Sequence, residues 1–119
     1  PSKSSSSEST YAEDLTDLER IRAEIATMAR DNARWLGRKR LVARTVTIKV
    51  RYGDFITITR SQSREATNDS DDIVQRAIAL LEKTEAGRRP VRLLGVGVHN
   101  FEPIERPGGI DSPQLSLGA

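Results

Sequence analysis

Two neighbouring segments of this 119-residue chain place short hydroxyls and cations at every second position: Thr45, Thr47, Lys49 and Arg51 in the first, then Thr57, Thr59 and Ser61 in the second. Hydroxyls bond phosphate oxygens and cations neutralise them, and neither reads base identity by itself. Gly95 and Gly97, in a later segment, let a backbone come close. The chemistry on offer is sequence-independent binding of a phosphate backbone. Arg60 is awkward in this set, because strict alternation puts it with Ile58 on the opposite side. A bulge or the end of the strand would turn it outward, where it too would contact phosphate. The plainer alternative is a solvated sheet, since Lys and Thr are common on exposed strands.

Net charge is only +2, but its distribution is uneven. Arg38, Lys39, Arg40, Arg44, Lys49 and Arg51 follow one another with no Asp or Glu between them, and Arg88, Arg89 and Arg92 form a second knot. Acids gather instead in Glu8, Glu13, Asp14, Asp17, Glu19 and Glu24, and again in Asp69, Asp71 and Asp72. A basic surface and a more acidic one are expected, and basic surfaces attract phosphate backbones. Aromatic residues make up 4% of the chain and none falls among the alternating hydroxyls and cations, which disfavours stacking of single-stranded bases and favours duplex.

Catalytic constellations are hard to find. The chain has no cysteine, so disulfides, thiolate metal sites and thiol nucleophiles are excluded, and its single histidine, His99, has no acidic or serine partner evident in sequence. Asp69, Asp71 and Asp72 stand at a helix start, where they serve as caps and dipole partners more simply than as metal ligands. Gly95-Val96-Gly97 lies within an apolar strand with no helix after it, so it is not a phosphate loop. There is no run of eighteen apolar residues and no signal peptide, so a cytoplasmic protein without membrane attachment is expected. A chain of this length with 36% hydrophobic residues can bury one modest core, and its start at Pro1 suggests a piece of something longer.

The elements that must position these residues can be read from periodicity. Lys3 to Tyr11 is serine-rich but ends in an extended Glu8-Ser9-Thr10-Tyr11, an edge strand. Thr16-Asp17-Leu18-Glu19 fits a capping box that starts a long helix, with Leu18, Ile21, Ile25, Met28, Trp35 and Leu36 on its buried stripe and Gly37 as terminator. Ala43–Tyr52 alternates, with Val46, Ile48, Val50 and Tyr52 inward. Gly53-Asp54 turns the chain into a second strand over Phe55–Ser63. Asn68, Asp69 or Ser70 caps a second helix with Ile73, Ala77, Leu80 and Leu81 buried, and Gly87 ends it. Val91–Phe101 is the last strand, with Leu94, Val96 and Val98 facing the core. The order β-α-β-β-α-β predicts an α+β fold: a four-stranded sheet with both helices on one face, as in the ferredoxin-like pattern. Residues 1–102 form this domain. Residues 103–119 are rich in breakers and read as a flexible tether that ends in Gln114-Leu115-Ser116-Leu117, a short motif able to dock in an apolar pocket.

Taken in order, these segments resemble the little finger, the C-terminal domain of the Y-family DNA polymerases, in the bacterial DNA polymerase IV branch. The resemblance is carried by Lys3-Ser4 with Glu8-Ser9-Thr10-Tyr11, by Thr47 to Phe55 followed by Thr57 to Ser61, by Val91 to Val98, and by Gln114-Leu115-Ser116-Leu117. It implies a non-catalytic module of a translesion polymerase whose sheet grips primer-template duplex in the major groove. It adds Lys3, Ser4 and Ser6 to Lys49, Arg51, Thr57, Thr59, Arg60 and Ser61 as DNA contacts. It also implies that Gln114, Leu115 and Leu117 enter the cleft of the polymerase III beta sliding clamp, although Gly118-Ala119 replaces the bulkier hydrophobe that often ends such tails. Palm, fingers and thumb of the parent chain would be further partners, and the palm would supply the magnesium-dependent nucleotidyl transfer. No cofactor or metal is expected in this segment. The competing expectation is a ferredoxin-like regulatory or protein-interaction domain without DNA binding.

Overall fold

A computed structural model describes residues 4–104. Six elements follow in the expected order: β1 (Ser4–Leu15), α1 (Leu18–Lys39), β2 (Leu41–Tyr52), β3 (Thr57–Thr67), α2 (Ser70–Leu81) and β4 (Val91–Pro103). The four strands make one antiparallel sheet in the order β1-β4-β2-β3. Helix α1 packs on β1, β4 and β2, and α2 packs on β2, β3 and α1, so both cover one face. The element order is that of the ferredoxin pattern, but the central strands here are β4 and β2, whereas a ferredoxin sheet centres its first and third strands.

The alternation read in β2 and β4 builds the core. Val46, Ile48, Val50 and Tyr52 from β2 and Leu94, Val96 and Val98 from β4 are buried against Ile21, Ile25, Met28 and Leu36 of α1 and Ile73, Ala77, Leu80 and Leu81 of α2. Trp35 is only half-buried; its ring lies 5.4 Å from that of Phe101 at the rim of the core. Among the described residues four polar side chains are buried, Asn32, Thr45, Arg76 and Thr84, and Asn32 and Arg76 tie separate elements together. Asn32 donates to the Met28 and Val96 carbonyls and accepts from Ser5 Oγ at 2.8 Å, which ties the serine-rich strand to the first helix. Arg76 donates to the Arg44 and Glu65 carbonyls and to Asp72. Those carbonyls flank a bulge where Ala43 and Thr45 of β2 pair with Thr67 and Ser63 of β3, so two residues are inserted in β3.

Several boundaries differ from the sequence expectation, each for a local reason. Strand β1 runs to Leu15, four residues past the expected end at Tyr11, because Leu15 pairs with Val91 beyond an irregularity that follows Thr10. The first helix is capped by Asp17 rather than Thr16: the Asp17 carboxylate accepts from Glu19 N–H at 3.0 Å. The helix also passes through Gly37 and stops at Arg40, which takes a left-handed φ of 57° and bonds back to the Gly37 carbonyl. Asp69 is the cap of α2, chosen from the expected three, and accepts from Asp72 N–H. That helix ends at Leu81, well before Gly87, which lies in the following turn at φ +91°. The β2–β3 turn includes Phe55, at φ 72°, so β3 begins at Thr57 rather than Phe55. Strand β4 continues to Pro103, one residue past the expected end of the domain.

Candidate nucleic-acid interface

Opposite the helices the sheet is open, and the pairing register fixes what it displays. Four rows cross the strands in the order β1, β4, β2, β3. They are Ser4, His99, Thr45 and Ser63; Ser6, Gly97, Thr47 and Ser61; Glu8, Gly95, Lys49 and Thr59; and Thr10, Leu93, Arg51 and Thr57. The alternation that buries Val46, Ile48 and Val50 is what turns Thr47, Lys49 and Arg51 outward. Because Gly95 and Gly97 carry no side chains, the middle of this face sinks into a trough of about 220 Å³ bordered by Ser4, Ser6, Thr47, Lys49, Thr59 and His99.

Hydrogen bonds hold the face in order. Thr47 and Ser61 share a hydroxyl–hydroxyl bond of 2.7 Å, as do Thr45 and Ser63. Arg51 Nε donates to Thr57 Oγ1 at 2.7 Å, and Asn100 Nδ2 donates to Thr45 Oγ1. Lys49 Nζ donates to Glu8 Oε2 at 2.9 Å across Gly95. Each hydroxyl still has lone pairs or a rotatable proton to offer a ligand.

The sequence-assigned contacts divide as follows. Ser4, Ser6, Lys49, Arg51, Thr57, Thr59 and Ser61 come together on the open face. Arg60 does not: the register stays in step through Ile48↔Arg60, and the bulge comes later, beyond Ser63. Its side chain sits on the helix side of the edge strand, exposed, with its guanidinium on the Thr59 carbonyl at 2.8 Å. Lys3 and the tail residues Gln114, Leu115 and Leu117 lie outside the described residues. Five members of the face were not singled out in sequence: Ser63, His99, Glu8, Thr10 and Leu93. Ser63 continues the parity of Ser61. His99 shares the parity of Gly95 and Gly97, and Glu8 that of Ser4 and Ser6, so extending each alternation by one step finds them.

The basic run from Arg38 to Arg51 is less one-sided than it reads. Arg38, Lys39 and Arg40 are exposed at the end of α1, Arg44 pairs with Glu102, and Lys49 pairs with Glu8. Of the acids near α2, Asp69 caps the helix and Asp72 pairs with Arg76. Among the described residues no group of three or more His, Asp or Glu side chains is placed to hold a metal ion, and no helix is long and apolar enough to cross a membrane. Tyr11, in β1, donates to Glu24 at 2.9 Å; burial first, then that bond and the Glu24 charge, push its phenol well above its ordinary value.

An antiparallel sheet backed by two helices, with hydroxyls, cations and a glycine trough on its free face, defines a small domain of the α+β class. The particular family is plain from the sequence: the chain belongs to the impB/mucB/samB family C-terminal domain, whose family model matches residues 2–117. It is 48% identical over 102 residues to a DNA polymerase IV of Alkalilimnicola ehrlichii, a match covering 86% of this chain and 29% of that protein. The chain thus spans about three-tenths of the length of such relatives. Among solved structures, the fold matches one described as a complex of beta-clamp processivity factor and little finger domain of PolIV, with a TM-score of 0.67 and 24% identity over 98% of this chain and 99% of that one. It also matches a post-insertion binary complex of Dbh DNA polymerase at a TM-score of 0.71 and 16% identity, over 84% of this chain and 29% of that one. These two likenesses show the fold.

Proposed function

We propose that this chain is the non-catalytic little finger of a translesion DNA polymerase, which grips primer-template duplex through its open sheet face without reading sequence. The observation that carries the reading is the make-up of the four rows: hydroxyls on the outer strands, cations on β2 and glycines on β4. Three strand spacings of about 4.8 Å put β1 and β3 roughly 14 Å apart, a match to a major groove about 12 Å wide. Ser4 and Ser6 then face one phosphate backbone, and Thr57, Thr59 and Ser61 face the other. Lys49 and Arg51 supply charge between them, and the trough over Gly95 and Gly97 leaves room for the duplex surface. Lys3, which precedes β1 in sequence, adds a further cation on this reading. Arg60 joins by passing around the free edge of β3, since its side chain starts on the other face.

The parent chain on this reading is a DNA-directed DNA polymerase. Its palm holds the magnesium ions and performs nucleotidyl transfer, and this domain keeps damaged template aligned with it in the cytoplasm. The segment 103–119 is a second handle, with Gln114, Leu115 and Leu117 entering the cleft of a sliding clamp. The clamp complex formed by a little finger of the same fold supports that assignment.

The test is equilibrium binding to short duplexes of unrelated sequence over a salt series. All should bind alike, with affinity falling linearly on a log–log plot against salt. Lys49→Glu with Arg51→Glu should reduce low-salt affinity by about tenfold or more. Absence of duplex binding at low salt, or indifference to the double reversal, overturns the sheet-face assignment and points to a protein-interaction domain.

A further inference from the structure

Glu8 is the single acidic residue in the four rows of the open face. It stands in the middle of the surface assigned above to phosphate, where a carboxylate is the wrong charge. Its setting is specific. Glu8 pairs with Gly95 across β1 and β4, and Gly95 pairs with Lys49 across β4 and β2. A Cβ on residue 95 would lie 2.8 Å from Glu8 Cγ and 3.6 Å from Lys49 Cβ. Glycine therefore gives the Glu8 side chain a slot in which to lie flat across β4, and its Oε2 reaches Lys49 Nζ at 2.9 Å.

An ion pair whose side chains are 45% and 36% exposed contributes little to folding, because water and salt screen it. Its effect on a polyanion is larger. The carboxylate occupies the ammonium that a phosphate would use, and it repels the phosphate directly. Of the two cations on the face, this leaves Arg51, bonded only to Thr57 among the described residues, as the one without a counter-charge.

We infer that Glu8 is an affinity-setting residue: a built-in counter-charge that competes with phosphate for Lys49 and keeps the duplex grip weak enough to be released and re-formed. A surface that binds backbone without regard to sequence must exchange one set of phosphates for the next as duplex moves past, and each exchange has to break the previous contacts. With Glu8 beside it, Lys49 passes between a carboxylate and a phosphate, and never stands bare. The inference rests on the reading of the open face as the duplex surface.

The experiment compares the parent chain with Glu8→Gln by fluorescence anisotropy on a labelled short duplex across a salt series, with thermal melts to confirm that both are folded. The substitution keeps size and removes charge. Glu8→Gln should bind about three- to tenfold more tightly at low salt, with a log–log salt slope steeper by up to about 0.9. Unchanged or weaker binding by Glu8→Gln overturns the inference, and leaves the duplex reading intact if Lys49→Glu with Arg51→Glu still weakens binding. A parent chain that fails to bind duplex at low salt overturns both.

Discussion

Arg76 is the residue whose role the linear sequence conceals most completely. It sits in α2 beside Ile73, Ala77, Leu80 and Leu81 and is 4% exposed. Its guanidinium serves three acceptors from different elements: the Arg44 carbonyl on β2, the Glu65 carbonyl in the β3 bulge, and the Asp72 carboxylate one turn back. A planar fork of donors suits that arrangement, and a lysine ammonium does not. Removing it leaves two carbonyls at a distorted ladder without their donor and an acid without its partner. Arg76→Ala should therefore lower folding stability by about 2–4 kcal/mol, with Arg76→Lys recovering little of it. Urea unfolding checks this through the midpoint at constant m-value. A loss below about 1 kcal/mol would mean that the bulge holds its shape unaided. No sequence signal exposes this role, because the acceptors exist only once β2 and β3 have slipped register. Asn32 is different: it occupies the stripe position between Met28 and Leu36, and a polar side chain there already asks for buried partners. The open-face residues were the most legible, since strict alternation around an evident core leaves each of them one possible side.

At the scale of elements, periodicity reveals five of the six, β1 being read from its extended Glu8–Tyr11 end, and the ends are less legible. The apolar spacing that identified α1, β2, α2 and β4 reflects burial, which the structure satisfies at every such position except Leu18 and Trp35, both half-buried. Ends are decided by a few backbone hydrogen bonds, for which several neighbouring residues compete. Thr16 and Asp17 both have capping oxygens, and Asp17 prevails because the helix starts at Leu18. The expected Gly37 stop failed because Arg40 adopted the left-handed turn without a glycine. Strand order was out of reach for a similar reason: the order of elements along the chain is compatible with more than one arrangement of central strands, and only packing selects β4 and β2. The capping claim has a direct test. Asp17→Ala should cost about 1 kcal/mol, with Thr16→Ala within about 0.5 kcal/mol of the parent. Thermal or urea unfolding of the pair reads the difference, and a larger loss for Thr16→Ala would return the cap to Thr16.

For the molecule as a whole, the proposed function divides the work between two segments: a sheet for duplex, and the 114–117 motif for a clamp. The described core residues that support the sheet run from Leu15 to Val98, and Ile104 N–H bonds to the Arg40 carbonyl to close the last strand on the body. A chain lacking residues 105–119 should melt within a degree or two of the parent and keep its full affinity for free duplex. The two handles should show their connection only when both ligands are present. Once the sheet holds duplex, a clamp on the same duplex meets the tail at a high effective concentration, so linkage raises avidity without any new contact. On duplex carrying a loaded clamp, the parent should therefore bind roughly 10- to 100-fold more tightly than on duplex alone. Gln114→Ala with Leu117→Ala should remove that gain and leave duplex binding untouched, and Lys49→Glu with Arg51→Glu should leave binding to the free clamp untouched. Surface plasmon resonance with bare and clamp-loaded duplex separates these arms. Equal affinity of the parent and the tail variant on clamp-loaded duplex would confine the chain to a single handle, the sheet.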